Sequence, residues 1–310
     1  MEKASLHYPP NMSRLEGSGV DEARSSYGIR GVRFMRAGDP NGEPAVFLPA
    51  GGWTGVQGLA VAKALGQFSW YLLDLPGTGG SQPIANANAH SFSEWLQCFC
   101  EEAEIHSFHL AGHSLGGYLA LAAAATGSLR LRSLLLIDGG LNPIAVPQEI
   151  GRIAYLAPTI ALLDRLLGGR IVARRTGLPA PPEPASDPQK VADHLRVPIS
   201  ENLVRAVLDS GEASGAPWNL DAMAWWRLGL IGVRTRGVRS LRRVDAPTRM
   251  LIARFPHGPE WATALALRSL ESVRAEGFDA VEMGTGHYVF WEDFEAFSRA
   301  AREFYAGLTH

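Results

Sequence analysis

Residues 107–125 constrain this chain more than any other stretch. Ser107 to Ala111 reads as a short apolar strand and Leu115 to Ala125 as an Ala- and Leu-rich helix, with only Gly112-His113-Ser114 between them. A strand that becomes a helix within three residues needs a strained backbone with little bulk around it, and Gly112, Gly116 and Gly117 provide the small neighbours. The same run, Gly112-His113-Ser114-Leu115-Gly116, fits the pattern G-x-S-x-G, which in this setting aims a serine hydroxyl at the top of a sheet.

The rest of the chain repeats the strand-then-helix alternation. Strands are predicted at Gly31 to Arg36, Ala45 to Pro49, Trp70 to Leu73, Leu134 to Ile137, Thr248 to Ala253 and Ala280 to Met283. Helices are predicted at Val56 to Leu65, from Ser91 or Ser93 onward, at Trp261 to Glu276 and at Phe294 to Tyr305. The turn Gly38-Asp39-Pro40-Asn41-Gly42 suggests a hairpin-like start between the first two of these strands. Such alternation points to a mostly parallel sheet covered on both faces. It stops after Ile137: residues 142–245 hold helix-like stretches, a Pro-rich loop from Pro179 to Pro188 and the tryptophans Trp218, Trp225 and Trp226. That segment reads as an inserted helical cap, and residues 1–27, polar with Pro9 and Pro10, as an N-terminal extension.

With 310 residues, 46% of them hydrophobic, the chain can bury a large core. Its 29 basic and 31 acidic residues are mixed along the sequence, so no strong field is expected that would draw in nucleic acid or an anionic membrane. A small-molecule substrate is expected instead. No apolar run reaches membrane-spanning length and the N-terminus lacks the order of a signal peptide, so a cytoplasmic protein is expected. The two cysteines, Cys98 and Cys100, stand two apart on a predicted helix and point to different sides, which argues against a disulfide. No Cys/His spacing suggests a metal site, and no cofactor is implied.

Three further motifs accompany the serine turn: Leu48-Pro49-Ala50-Gly51-Gly52-Trp53, the loop Asp74-Leu75-Pro76-Gly77-Thr78-Gly79-Gly80-Ser81, and Gly284-Thr285-Gly286-His287. The Gly-rich loop lacks the Lys of a phosphate-binding loop and reads as a tight crossover turn. Together, in this order, the motifs resemble those of cap-bearing serine hydrolases of the α/β-hydrolase superfamily. The resemblance implies an α/β fold with a mostly parallel central sheet flanked by helices, a core of residues 28–141 and 246–310, and a helical cap at 142–245 inserted after the sixth strand.

It also implies a nucleophile, Ser114, and a general base, His287, since a serine hydroxyl needs such a base within hydrogen-bond reach. His113 is expected to shape the turn. The third member is open. An Asp is commonest on the loop after the strand Thr248 to Ala253, but here that loop reads Arg254-Phe255-Pro256-His257-Gly258-Pro259-Glu260. Asp138, after the strand ending at Ile137, is the favoured carboxylate and Glu260 the alternative. An oxyanion would be held by the N–H groups of Leu115 and Gly51, with Gly52 and Trp53 as alternatives if the register slips; Pro49 has no N–H to offer. Trp53, Tyr118, Trp218 and Trp225 suggest an apolar or aromatic substrate. The expected reaction is cleavage of a carboxylic ester or lactone through an acyl-enzyme. Related folds also cleave carbon–carbon bonds, transfer acyl groups, hydrolyse amides or serve as non-catalytic ligand-binding proteins.

Overall fold

The computed structural model describes residues 24–29, 31–51, 53–140, 222–235, 237–258 and 260–309. Their strands are β1 (Arg24–Ile29), β2 (Val32–Gly38), β3 (Pro44–Leu48), β4 (Ser69–Leu73), β5 (Phe108–His113), β6 (Leu131–Ile137), β7 (Thr248–Ala253) and β8 (Asp279–Met283). All lie in one sheet, in the order β1-β2-β4-β3-β5-β6-β7-β8. β1, β2 and β4 are antiparallel neighbours, and every pairing from β4 across to β8 is parallel. The helices are α1 (Leu59–Ala64), α2 (Ala89–Glu102), α3 (Leu115–Ala124), α4 (Ala222–Arg234), α5 (Gly237–Leu241), α6 (Glu260–Ala275), α7 (Val289–Glu292) and α8 (Phe294–Ala306).

Period-2 alternation in the central strands builds two cores, one on each face. Phe47, Ala111, Leu135 and Ile137 point to the face covered by α1, α7 and α8. Val46, Leu48, Leu110, Leu134 and Leu136 point to the face covered by α2, α3, α4 and α6. Every residue of α3 is buried, which explains why its sequence is apolar all round rather than striped. α2 begins at a capping box in which Asn88 Oδ1 accepts from the His90 and Ser91 N–H groups.

Two expectations are corrected. The hairpin-like start does not form between Val32–Gly38 and Pro44–Leu48: β2 pairs with β4, Phe34 against Leu73, while β3 lies between β4 and β5. The cause is burial, because Ala45 to Leu48 are wholly buried and apolar and suit a central parallel slot. The outer hairpin is instead β1–β2, and β1 begins at Arg24, inside the stretch expected to be an extension through residue 27. Most of the expected cap, including Trp218, lies outside the described residues, as do the N-terminal residues 1–23. The described elements within residues 142–245, α4 and α5, are helical.

The Gly-rich loop after β4 is a structural junction. Asp74, almost fully buried, accepts from Gly55 N–H at 2.8 Å and Gly80 N–H at 3.0 Å, and faces Arg33 Nη1 at 3.6 Å. Burial pushes its carboxyl upward, and the Arg33 charge and the two N–H donors pull the other way. One side chain thus ties β2, the segment after β3 and the loop after β4 together. Both cysteines are free; burial pushes the Cys100 thiol up to about 12, which leaves it unreactive.

Candidate active site

The parallel strands deliver the site by register. β5, β6 and β7 run side by side, and their C-terminal ends carry Ser114 and Asp138 on neighbouring loops. Ser114 N–H donates to the Ile137 carbonyl at 3.0 Å and Asp138 N–H to that of Leu251 at 2.7 Å, so both loops are anchored at their first residue. Ser114 has φ 54° and ψ −119°, a conformation that L-residues avoid, and stands as the N-cap of α3. Gly116 permits the turn: a Cβ there would run into the carbonyls of Leu48 and Pro49, so α3 approaches β3 only because none is present.

His287 lies on the loop after β8. Its Nδ1 is 2.6 Å from Asp138 Oδ2, and Asp138 Oδ1 accepts from Ala253 N–H at 3.0 Å. One carboxylate therefore grips both the imidazole and the end of β7, and Nε2 is left as the ring's other nitrogen. Glu260, the alternative acid, is exposed on the first turn of α6. Asp138 is thus the carboxylate brought to His287.

At the N-terminus of α3 the Leu115 N–H has no intrahelical acceptor, as the first N–H groups of any helix do not. The loop after β3 is fixed by Ala50 N–H donating to Gln57 Oε1 at 2.8 Å and by Trp53 N–H donating to the Ala50 carbonyl at 3.1 Å. The Trp53 N–H is thereby occupied and is not available to an oxyanion. Gly51 stands in this turn, half-buried, while Gly52 lies outside the described residues.

His113 is fully buried beneath the turn. Its Nε2 donates to the His287 carbonyl at 2.8 Å, and its Nδ1 stands 3.2 Å from Gln57 Oε1. Burial holds its imidazole well below the ordinary histidine value, with repulsion from His287 acting in the same direction. The Tyr288 ring lies 5.4 Å from that of His287 and belongs to an aromatic group with Trp53 and Trp291. Trp53 Nε1 donates to the Tyr288 hydroxyl at 3.2 Å, and Trp53 meets the Trp291 ring edge-on at 4.8 Å. Tyr118 is buried at the α3–α4 contact, near Gly232. The side chain of Trp225, on α4, lies outside the described residues.

Residues 45–176 match a family model described as alpha/beta hydrolase fold. The structure superposes on E-2-(acetamidomethylene)succinate hydrolase with a TM-score of 0.62 at 17% identity, covering 92% of this chain and 99% of that one. A carboxylesterase from Bacillus subtilis aligns with a TM-score of 0.57 at 15% identity, over 92% of both chains. The chain has the α/β-hydrolase fold. Over 144 residues the chain is also 32% identical to N-formylmaleamate deformylase of Pseudomonas putida, which is 46% of this chain and 47% of that protein. Over 105 residues it is 31% identical to the 2-hydroxy-6-oxononadienedioate/2-hydroxy-6-oxononatrienedioate hydrolase of Cupriavidus pinatubonensis, 31% of this chain and 36% of the other. The matched part spans less than half the length of either curated relative.

Two polar residues that sequence reasoning passed over belong to the same assembly. Gln57, wholly buried, fixes the loop after β3 by accepting from Ala50 N–H and lies against His113, with Oε1 3.2 Å from its Nδ1. Glu292 accepts from the N–H groups of Gly286 and Tyr288, the residues on either side of His287. No group of three or more potential metal ligands is found among the described residues.

Proposed function

We propose that this chain, with its α/β-hydrolase fold, is a serine hydrolase that cleaves a carboxylic ester or lactone through an acyl-enzyme. The observation that carries the reading is the 2.6 Å pairing of His287 Nδ1 with Asp138 while Ser114 stands in a strained turn at the head of α3. In this mechanism Ser114 Oγ attacks the carbonyl and His287 Nε2 takes its proton. Asp138 keeps the other ring proton on Nδ1 and stabilises the imidazolium that results. The charge that develops on the carbonyl oxygen is met by the N–H groups of Leu115 and Gly51; one such donor typically contributes about 3 kcal/mol to lowering the barrier. His287 then returns the proton to the leaving alcohol, and water, activated by the same imidazole, releases the acid. No metal or organic cofactor takes part in these steps. The aromatic group of Trp53, Tyr288 and Trp291, whose Tyr288 ring lies against His287, supports an apolar or aromatic small-molecule substrate.

Labelling with a fluorophosphonate followed by peptide mapping tests the reading. The label is expected on Ser114 in the wild-type chain, absent from Ser114→Ala and slowed on the order of a thousandfold or more in His287→Ala. A folded wild-type chain that takes no label overturns it. The similarity to N-formylmaleamate deformylase favours a second reading, hydrolysis of an amide by the same residues. Turnover of an N-formyl amide in preference to p-nitrophenyl acetate and a γ-lactone would replace ester cleavage by that reaction.

A further inference from the structure

The pairing with Asp138 fixes one atom of the His287 ring, but a single hydrogen bond leaves the imidazole free to swing about it. Where Nε2 comes to rest therefore depends on the backbone that carries the side chain. That backbone is gripped on two sides. From below, the buried His113 donates Nε2–H to the His287 carbonyl at 2.8 Å. From the side, Glu292 Oε2 accepts from Gly286 N–H and Glu292 Oε1 accepts from Tyr288 N–H at 3.2 Å. The two donors flank His287 directly, so one half-buried carboxylate spans the residue. Gly286 suits the arrangement, since a Cβ there would lie 2.7 Å from Glu292 Oε1. Hydrogen bonds from peptide N–H to a carboxylate are charge-assisted and stronger than the amide equivalent.

We propose that Glu292 is a positioning residue: its carboxylate clamps the peptide groups on both sides of His287 and so sets the reach of His287 Nε2 toward Ser114 Oγ. The proposal rests on the reading of Ser114, His287 and Asp138 as a triad. Glu292 does not touch the reacting atoms; it acts through the loop. Its place at the end of α7 offers a plainer role, that of holding the α7 turn together, and the two roles differ in what they change. Loss of a merely structural support lowers the fraction of molecules that are folded. Loss of positioning lowers the rate at which each folded molecule reacts.

The experiment is a fluorophosphonate titration of the full chain as wild type, Glu292→Gln and Glu292→Ala. The final amplitude counts competent sites, the second-order rate constant reports the reactivity of each, and thermal unfolding is followed alongside. Glu292→Gln keeps an oxygen for one of the two N–H groups and is expected to slow labelling about tenfold at full amplitude; Glu292→Ala keeps neither and is expected to lose about a hundredfold. If Glu292→Ala does not fold, Glu292→Gln carries the test alone. Rate constants within twofold of wild type, or a loss confined to amplitude, overturn the clamp while leaving the triad standing. A folded wild-type chain without label overturns the triad reading, and the clamp falls with it.

Discussion

Asp138 divides its carboxylate between two duties, and substitutions separate them. Oδ2 faces His287 Nδ1 at 2.6 Å and Oδ1 accepts from Ala253 N–H at 3.0 Å. Asp138→Asn retains an oxygen for Ala253 but turns an NH2 group toward His287 Nδ1, so a neutral imidazole would have to keep its proton on Nε2, the atom that the proposed mechanism needs bare. Fluorophosphonate labelling is expected to fall on the order of ten-thousandfold with the urea midpoint little changed. Glu260→Gln, on an exposed helical turn, is expected to label at the wild-type rate; slowing in this variant, with Asp138→Asn unaffected, would move the acid to the loop after β7. Ser114, Asp138 and His287 were legible as candidates because each follows a strand end marked by glycines, and Glu260 because it closes the loop after β7. The choice between Asp138 and Glu260 was not, since it depends on which loop the strand register brings near His287. Glu292 and Gln57 left no signal of their own. A Glu at the end of a short helix and a Gln beside an apolar run look like ordinary solvated side chains until the backbone N–H groups that they accept from are located.

At the scale of elements, the β5–α3 turn depends on how closely the helix approaches β3. Gly116→Ala places a methyl group against the carbonyls of Leu48 and Pro49, and backbone yields less readily than the end of a flexible side chain. The helix must shift, at an expected cost of about 1–3 kcal/mol in urea unfolding. Because Ser114 and the Leu115 N–H ride on the same turn, labelling should slow as well. Stability and labelling rate both at wild-type values would mean that the contact is looser than the geometry indicates. Most of the strands and long helices, though not β1 inside the stretch read as an extension, were readable from period-2 and helical patterning, each within a few residues. Their partners were less so. Residues 38–42 have the composition of a hairpin turn, and local chemistry alone favoured pairing the strands on either side. The buried run Ala45 to Leu48 decides otherwise, because it needs a parallel strand on each side, and those strands lie far away in sequence. In the segment expected to be a cap the sequence offers helix-like stretches but nothing that says what they pack against, and its expected limits at 142–245 stand as a proposal.

For the whole molecule, the buried histidines make stability depend on pH with a definite sign. His109 packs at the opposite end of β5 from the site, with Nδ1 2.8 Å from Ser133 Oγ and Nε2 3.1 Å from Glu43 Oε2. Burial holds it below the ordinary histidine value of 6.5 despite the pull of the Glu43 carboxylate, and Arg132 adds to the downward shift. His113, wholly buried between Gln57, His287 and the Tyr288 and Phe290 rings, is held lower still. In the unfolded chain both would titrate near 6.5. As pH falls through that value the unfolded state takes up protons that the folded state refuses, so stability decreases toward acid. The slope is about 1.4 kcal/mol per pH unit for each proton, or about 2.7 for the two together. Glu43 extends the loss further down: its hydrogen bond to His109 holds its carboxyl below 4.5, and the stability this contributes is lost as pH falls through the folded-state value. Urea unfolding at pH 7.5, 6.5, 5.5 and 5.0 is expected to show the decline beginning near 6.5. In His109→Gln the slope between 6.5 and 5.0 should fall by about one proton's share whatever the variant's stability at neutral pH, because its remaining side chain cannot titrate. A wild-type profile that stays flat down to pH 5.0 would mean that these histidines accept protons within the fold.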